Sequence, residues 1–264
     1  MPRFKLLIEY AGTKYSGWQI QRNARTVAGE IERAVFGATG RREFELYGSG
    51  RTDAGVHAIW QVAHLDIYTE LTPELLRRKV NDELPADIHI RSASKAPHKF
   101  HARHDAVERS YMYQISTRRT AFGKPFVWWI REPLSVDAMR QAARAFIGMQ
   151  NFDAFTADDP DEKSTKVLVD AVEIVEAGAL ILIRVRGSHF LWKMVRRMVG
   201  VLAAVGRGEI EPHGAARFLE PSQGNAARTT AAALAAPAAG LFLEAVRYQG
   251  DAQLGKLTPL LRIE

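Results

Sequence analysis

Residues 59–85 read IWQVAHLDIYTELTPELLRRKVNDELP, and a change of period inside them decides the fold class. From Ile59 to Tyr68, the apolar Ala63, Leu65 and Ile67 alternate with His64 and Asp66, the period of a half-buried strand. The pattern then switches. Thr72 is a good N-cap, and Pro73 suits the first helical position, where a missing N–H is no loss. The helix runs to about Glu83 and stops before Pro85.

Working outward, Phe4 to Tyr10 alternates as a strand. Thr26 to about Ala38 places Val27, Ile31, Ala34 and Val35 at helical spacing and ends at Gly37 and Gly40. Phe44 to Tyr47 and Ile88 to Arg91 are short strands. The order is β-α-β-β-α-β. The second half repeats it. Arg109 to Ser116 is a strand. Ser135 caps a helix ending at Gly148, with Met139, Ala142, Phe146 and Ile147 as its stripe. Val167 to Val175 and Leu180 to Arg186 are strands around Ala177-Gly178. Phe190 to about Gly206 is a helix, a shorter helix follows Pro212, and Leu241 to Tyr248 closes the sheet. The expected class is α+β: two ferredoxin-like, RNA-binding-type halves, 1–104 and 105–264, sharing a largely antiparallel sheet with a central cleft. Ala226 to Ala239 reads as packed chain and Asp158 to Lys163 as a solvated acidic turn without calcium-loop spacing.

The chain has 264 residues, 47% hydrophobic and 25% charged, proportions that exclude global disorder. It contains no cysteine, which removes disulfides, thiolate metal sites and Cys nucleophiles. No apolar run is long enough for a membrane span, and the first residues lack a secretory signal, so a cytoplasmic protein is expected. The net charge of +6 favours a polyanionic partner.

Three segments carry candidate chemistry. In Tyr47 to His57, glycines bracket Arg51, Thr52 and Asp53 between two strands. The segment reads as a hairpin turn or as a carboxylate held rigidly in a cleft. No Lys-Ser/Thr follows the glycines, so it is not a phosphate loop. Ser49, Asp53 and His57 also allow a hydrolytic triad, although Ser49 lacks the nucleophile-elbow context. In the second segment, Arg184, Arg186, Lys193, Arg196, Arg197 and Arg207 occur with no acid between Glu176 and Glu209. They read as a solvated basic face or a phosphate-binding one, with one arginine turned towards a buried carboxylate. In the third, Arg103, Arg109, Tyr111 and Tyr113 combine cations and rings suited to an unstacked base, or simply place tyrosines in the core. His98, His101 and His104 have a metal-like spacing, but they follow Pro97 and precede a strand, against helical presentation.

The run Gly50 to His57, GRTDAGVH, closely resembles the catalytic motif of the TruA-type tRNA pseudouridine synthases. Further similarities are Glu9-Tyr10, Gly12, Tyr15 and Gly17-Trp18-Gln19; Asn81 with Leu84-Pro85; Phe100 to Arg103; Arg109, Tyr111 and Tyr113; Phe152 and Phe155; Phe190, Met194 to Arg196 and Val199-Gly200; and Pro237 to Leu243. Ala11, Ala28 and Trp192-Lys193 depart from the usual pattern. The resemblance implies a pseudouridine synthase fold and isomerisation of uridine to pseudouridine at positions 38, 39 and 40 of the tRNA anticodon stem-loop. It also implies base flipping, a homodimer, and no metal or cofactor. By motif position Asp53 is the catalytic aspartate and Tyr111 stacks on the target base. Arg196 pairs with the aspartate, and Arg51 helps hold the RNA. Arg103, Arg109, Lys193 and Arg197 are further candidates for RNA contact. A non-catalytic RNA-binding protein on a duplicated RNA-binding-type fold is the alternative.

Overall fold

The computed structural model describes residues 1–158, 164–220 and 224–263, so all but Asp158 of the expected acidic turn lies outside the described residues. The chain divides into two units, Met1–Val107 with Phe242–Asp251, and Glu108–Leu241 with Ala252–Glu264. Both are mixed α+β, and their strand pairing is mostly antiparallel.

The first unit contains β1 (Arg3–Tyr10), α1 (Val27–Thr39), β2 (Phe44–Gly48), β3 (His57–Ile67), α2 (Pro73–Glu83) and β4 (Ile88–Ala96). β1 lies between β4 and β3, antiparallel to both. β2 covers the end of β3's outer edge, from Ala63 to Ile67, giving the order β4-β1-β3-β2 of a ferredoxin-like sheet. Local chemistry explains the boundaries. The Thr26 hydroxyl caps α1 through Gly29 N–H, and Thr72 caps α2 through Leu75 N–H. Gly40 closes α1 in the left-handed region at φ 67°. Phe4, Leu6, Ile8 and Tyr10 form one buried row of β1. With Val27, Ile31, Leu76 and Val80 of the helices they build the core, each large aliphatic contributing about 1.5–3 kcal/mol.

From residue 106 onward come β5 (Ala106–Ser116), β6 (Trp128–Trp129), α3 (Val136–Ala143), β7 (Gly148–Asn151), β8 (Lys166–Ala177), β9 (Leu180–Gly187), α4 (Met194–Gly206), α5 (Gly224–Ala233) and β10 (Leu241–Tyr248). In the second unit β5, β9, β8 and β7 pair antiparallel in that order, and β6 runs parallel to the end of β5. β10 returns to the first unit, parallel to β3, with Phe242 opposite His57.

Two expected helix bounds are corrected and two expected segments are given their form. The helix capped by Ser135 ends at Ala143 and tightens into a 3-10 turn, Arg144–Phe146; Ile147 is exposed, and Gly148, at φ 97°, starts a strand. The helix expected from Phe190 begins only at Met194, because Lys193 adopts a left-handed φ of 64°. Residues after Pro212 form a 3-10 helix, Pro212–Leu219. The alanine-rich stretch contains α5, which buries Ala227 and Ala231.

Candidate active site

Asp53 sits in the loop between β2 and β3, half-buried between buried Thr52 and exposed Ala54. The loop is clamped from three directions. Trp18 N–H donates to Thr52 O (3.1 Å), and the Thr52 hydroxyl lies 2.8 Å from the Tyr10 hydroxyl. Gly55 N–H donates to Tyr15 O (3.2 Å), while the Tyr15 hydroxyl is bonded to Asp87. Burial, reinforced by Asp87, pushes that hydroxyl's pKa upward. Val56 N–H closes a turn on Asp53 O (3.1 Å), with Gly55 at the position that requires positive φ (78°).

Two other glycines permit the close approach. A Cβ on Gly12 would lie 1.9 Å from Val56 O, and one on Gly17 would lie 2.5 Å from Thr52 O. Gly12 N–H also donates to His57 Nδ1 (3.0 Å), whose ring stacks on Phe242 at 4.8 Å. The result is a loop whose backbone is fixed at Thr52, Asp53 and Gly55, with a hydroxyl contact at Thr52 beside it.

The triad reading does not survive this geometry. Ser49 is buried and its hydroxyl donates to Gln61 Oε1 (2.6 Å), while Gln61 Nε2 holds Gly50 O. Nδ1 of His57 already accepts a backbone N–H, so that nitrogen cannot receive a proton from serine without losing the bond. Arg51, on the same loop, is exposed. Arg103 is exposed in a turn, its N–H donating to His101 Nδ1 (3.1 Å), and His104 N–H donates to the same atom (3.3 Å). Among the described residues no three His, Asp or Glu side chains converge as a ligand set.

In the second unit, Tyr111 and Tyr113 divide the two readings offered for them. Tyr113 is core: fully buried, its hydroxyl donates to Pro237 O (2.7 Å). Tyr111, opposite Val185, stays half-exposed with its ring edge-on to Phe190 at 5.2 Å and 86°. Arg109 donates to Ser188 O (2.8 Å). Arg196 is the one residue of the thirteen in α4 that is not buried. Its Nε donates to Ala236 O (2.7 Å), and its own carbonyl accepts Ala236 N–H (2.9 Å), so one residue anchors both its side chain and its backbone. Lys193, which precedes α4, extends over the Trp192 ring (4.7 Å).

The expected basic face is smaller than its six cations suggest. Arg197 is 8% exposed and donates to Ala154 O (3.0 Å) and Thr156 O (2.5 Å). Burial lowers its pKa, and its charge satisfies interior carbonyls rather than facing a partner. Arg184 is buried on Gly255 O and near Glu173; Arg186 is paired with Glu108 and Glu173, and Arg207 with Glu209. Sequence reasoning gave no role to Tyr10, Trp18 and Gln61, which hold the loop; the glycines at 12 and 17 were the available sign of a close backbone approach there.

Residues 6–105 and 142–249 match the sequence model of a family described as tRNA pseudouridine synthase. The chain belongs to that family. Its members by name make pseudouridine, so the chain is an isomerase of tRNA uridine, and the non-catalytic alternative is not favoured. The chain is 42% identical over 250 residues to tRNA pseudouridine synthase A of Pelobacter propionicus, covering 94% of this chain and 100% of that protein. It is 37% identical over 254 residues to the protein of the same name from Paramagnetospirillum magneticum, covering 95% and 97%. Among solved structures, the archaeal box H/ACA sRNP Nop10-Cbf5 complex is a remote likeness, with 11% identity, a TM-score of 0.36, and coverage of 86% of this chain and 61% of that one. Among the described residues, no helix of this tRNA pseudouridine synthase is long and apolar enough to cross a membrane.

Proposed function

We propose that the protein converts uridine to pseudouridine at positions 38, 39 and 40 of the tRNA anticodon stem-loop, with Asp53 as its catalytic carboxylate. The supporting observation is the clamp on the Asp53 loop, built from backbone bonds of Trp18, Tyr15 and Val56 and the Tyr10 hydroxyl. Such a clamp pre-orders a reacting group so that little is lost in ordering it during the reaction.

The chemistry is an isomerisation. The N1–C1′ bond breaks, the base turns over, and C5 joins C1′; C5 loses its proton and N1 gains one. One carboxylate suffices, whether it attacks C1′, adds to C6 or removes the C2′ proton, whereas glycoside hydrolysis commonly employs two. The target base must first leave its stack at a cost of a few kcal/mol. Tyr111 offsets this by stacking on the base; its half-exposed ring, propped by Phe190, supports that role. Arg51 holds the RNA backbone beside the loop, and Arg196 supplies the compensating positive charge. Arg103, Arg109 and Lys193 add weaker RNA contacts. The enzyme works as a cytoplasmic homodimer without metal or cofactor.

The test is pseudouridine mapping on unmodified tRNA. Wild-type protein should modify positions 38–40. Asp53→Asn should bind tRNA nearly as well and make no product. Substantial turnover by Asp53→Asn would end the mechanism.

A further inference from the structure

We propose that the loop of residues 117–131 is a second tRNA contact, engaging phosphates and one unstacked base at a distance from the reacting uridine. This rests on tRNA being the substrate. From Arg109 to Arg131 the chain has five cations and no acid. Arg118, Arg119, Lys124 and Arg131 are all exposed. At the loop's tip Phe122 is 96% exposed, the most exposed large apolar side chain among the described residues. Trp129 is 42% exposed, with the Arg119 guanidinium 5.8 Å above its ring.

The loop is built, not slack. Thr117 N–H donates to Ala179 O (2.9 Å), Ile130 N–H to Ser116 O (3.0 Å), and Gln114 Nε2 to Phe126 O (3.0 Å). Phe126 N–H closes a turn on Gly123 O (2.8 Å), and the Thr120 hydroxyl accepts Gly123 N–H (3.1 Å). A phenyl ring held in water by such a frame gains nothing for folding. Paired with cations, it fits a nucleic acid, whose phosphates take the charges and whose bases take the ring. Charge complementarity selects tRNA over a second copy of this chain, which is itself net positive.

Distance makes the site separate. Tyr111 lies mid-way along β5 and Thr117 just beyond its end, about 20 Å apart at strand rise. A single nucleoside cannot span that gap, but a folded tRNA can.

The test uses the full protein with Phe122→Ala and, separately, Arg119→Gln combined with Lys124→Gln. Dissociation constants for intact tRNA are measured across salt concentrations, and single-turnover rates at saturating tRNA. Phe122→Ala should weaken binding about five-fold or more. The charge variant should reduce the slope of log affinity against log salt by about two, one for each phosphate that is no longer neutralised. Saturating rates should stay at the wild-type value. Unchanged affinity and slope in both variants, with active wild-type protein, would overturn this proposal alone. Light scattering that shows the variants losing a dimer would also overturn it, in favour of an interface between copies. Wild-type protein that makes no pseudouridine would instead sink the functional reading.

Discussion

Gly12→Ala tests the idea that the loop around Asp53 is placed by backbone contact. Gly12 lies forty-one residues before Asp53, outside the glycine-rich motif. The added Cβ would sit 1.9 Å from Val56 O and 2.6 Å from Val56 C. Close carbon–oxygen contacts settle at about 3.3 Å, so the two backbones must part by roughly 1.4 Å. The atoms that meet are main-chain, and no rotamer change relieves them. Val56 N–H is bonded to Asp53 O, so the displacement passes directly to the carboxylate's residue. A shift of about 1 Å in a reacting group costs on the order of 100-fold in rate. Overpacking costs about 1–3 kcal/mol, or roughly 2–12 °C in Tm for a chain of this size. Gly50→Ala is the control, because a Cβ there meets nothing within 4 Å although Gly50 belongs to the motif. Single-turnover pseudouridine formation should fall about 100-fold for Gly12→Ala and stay near wild type for Gly50→Ala. A Gly12→Ala protein within about three-fold of wild type would refute the clamp.

Tyr10→Phe removes the hydroxyl that meets Thr52 and should lower kcat several-fold at constant KM, with a stability loss of about 1 kcal/mol in urea titrations. Arg197→Met strands the carbonyls of Ala154 and Thr156 and should cost about 2–5 kcal/mol in thermal melts, while the salt dependence of tRNA binding stays unchanged. His64 is buried, and burial, aided by the nearby Arg3 charge, lowers its pKa from 6.5 to about 4. The unfolded chain therefore takes up a proton below pH 6.5 that the folded chain refuses. Stability should fall by up to about 3 kcal/mol between pH 6.5 and 4, and His64→Asn, which keeps an acceptor for Ala102 N–H, should flatten that slope in urea melts.

Elements marked by strong local chemistry could be read from sequence. Thr72-Pro73, the alternation of β1, and Gly40 each combine a backbone requirement with a residue that meets it. The elements that escaped lack such marks. β7 is four residues, Gly-Met-Gln-Asn, with no branched side chain and a single partner strand. α5 buries only alanines, so it shows no contrast of large apolar and polar faces. Arg197 escaped for another reason. It lies three residues after Met194 and four before Val201, inside the apolar stripe, but its charge suggested the surface. Only the carbonyls of the Ala154–Thr156 turn explain why an arginine is accommodated there, and they are 43 and 41 residues away in sequence. The motif around Asp53 was plain, whereas its supports at Tyr10 and Trp18 depend on contacts that no local pattern announces.

The return of β10 to the first unit sets an order of events during synthesis. Phe242, which stacks on His57 at the foot of the Asp53 loop, leaves the ribosome some 185 residues after that histidine. A nascent chain emerging up to residue 107 thus has every strand of the ferredoxin-like order but lacks the aromatic lid on its own key turn. The Asp53 loop thus waits for a packing partner made 185 residues after His57, and a gene cut between the two units would deliver a first fragment without Phe242.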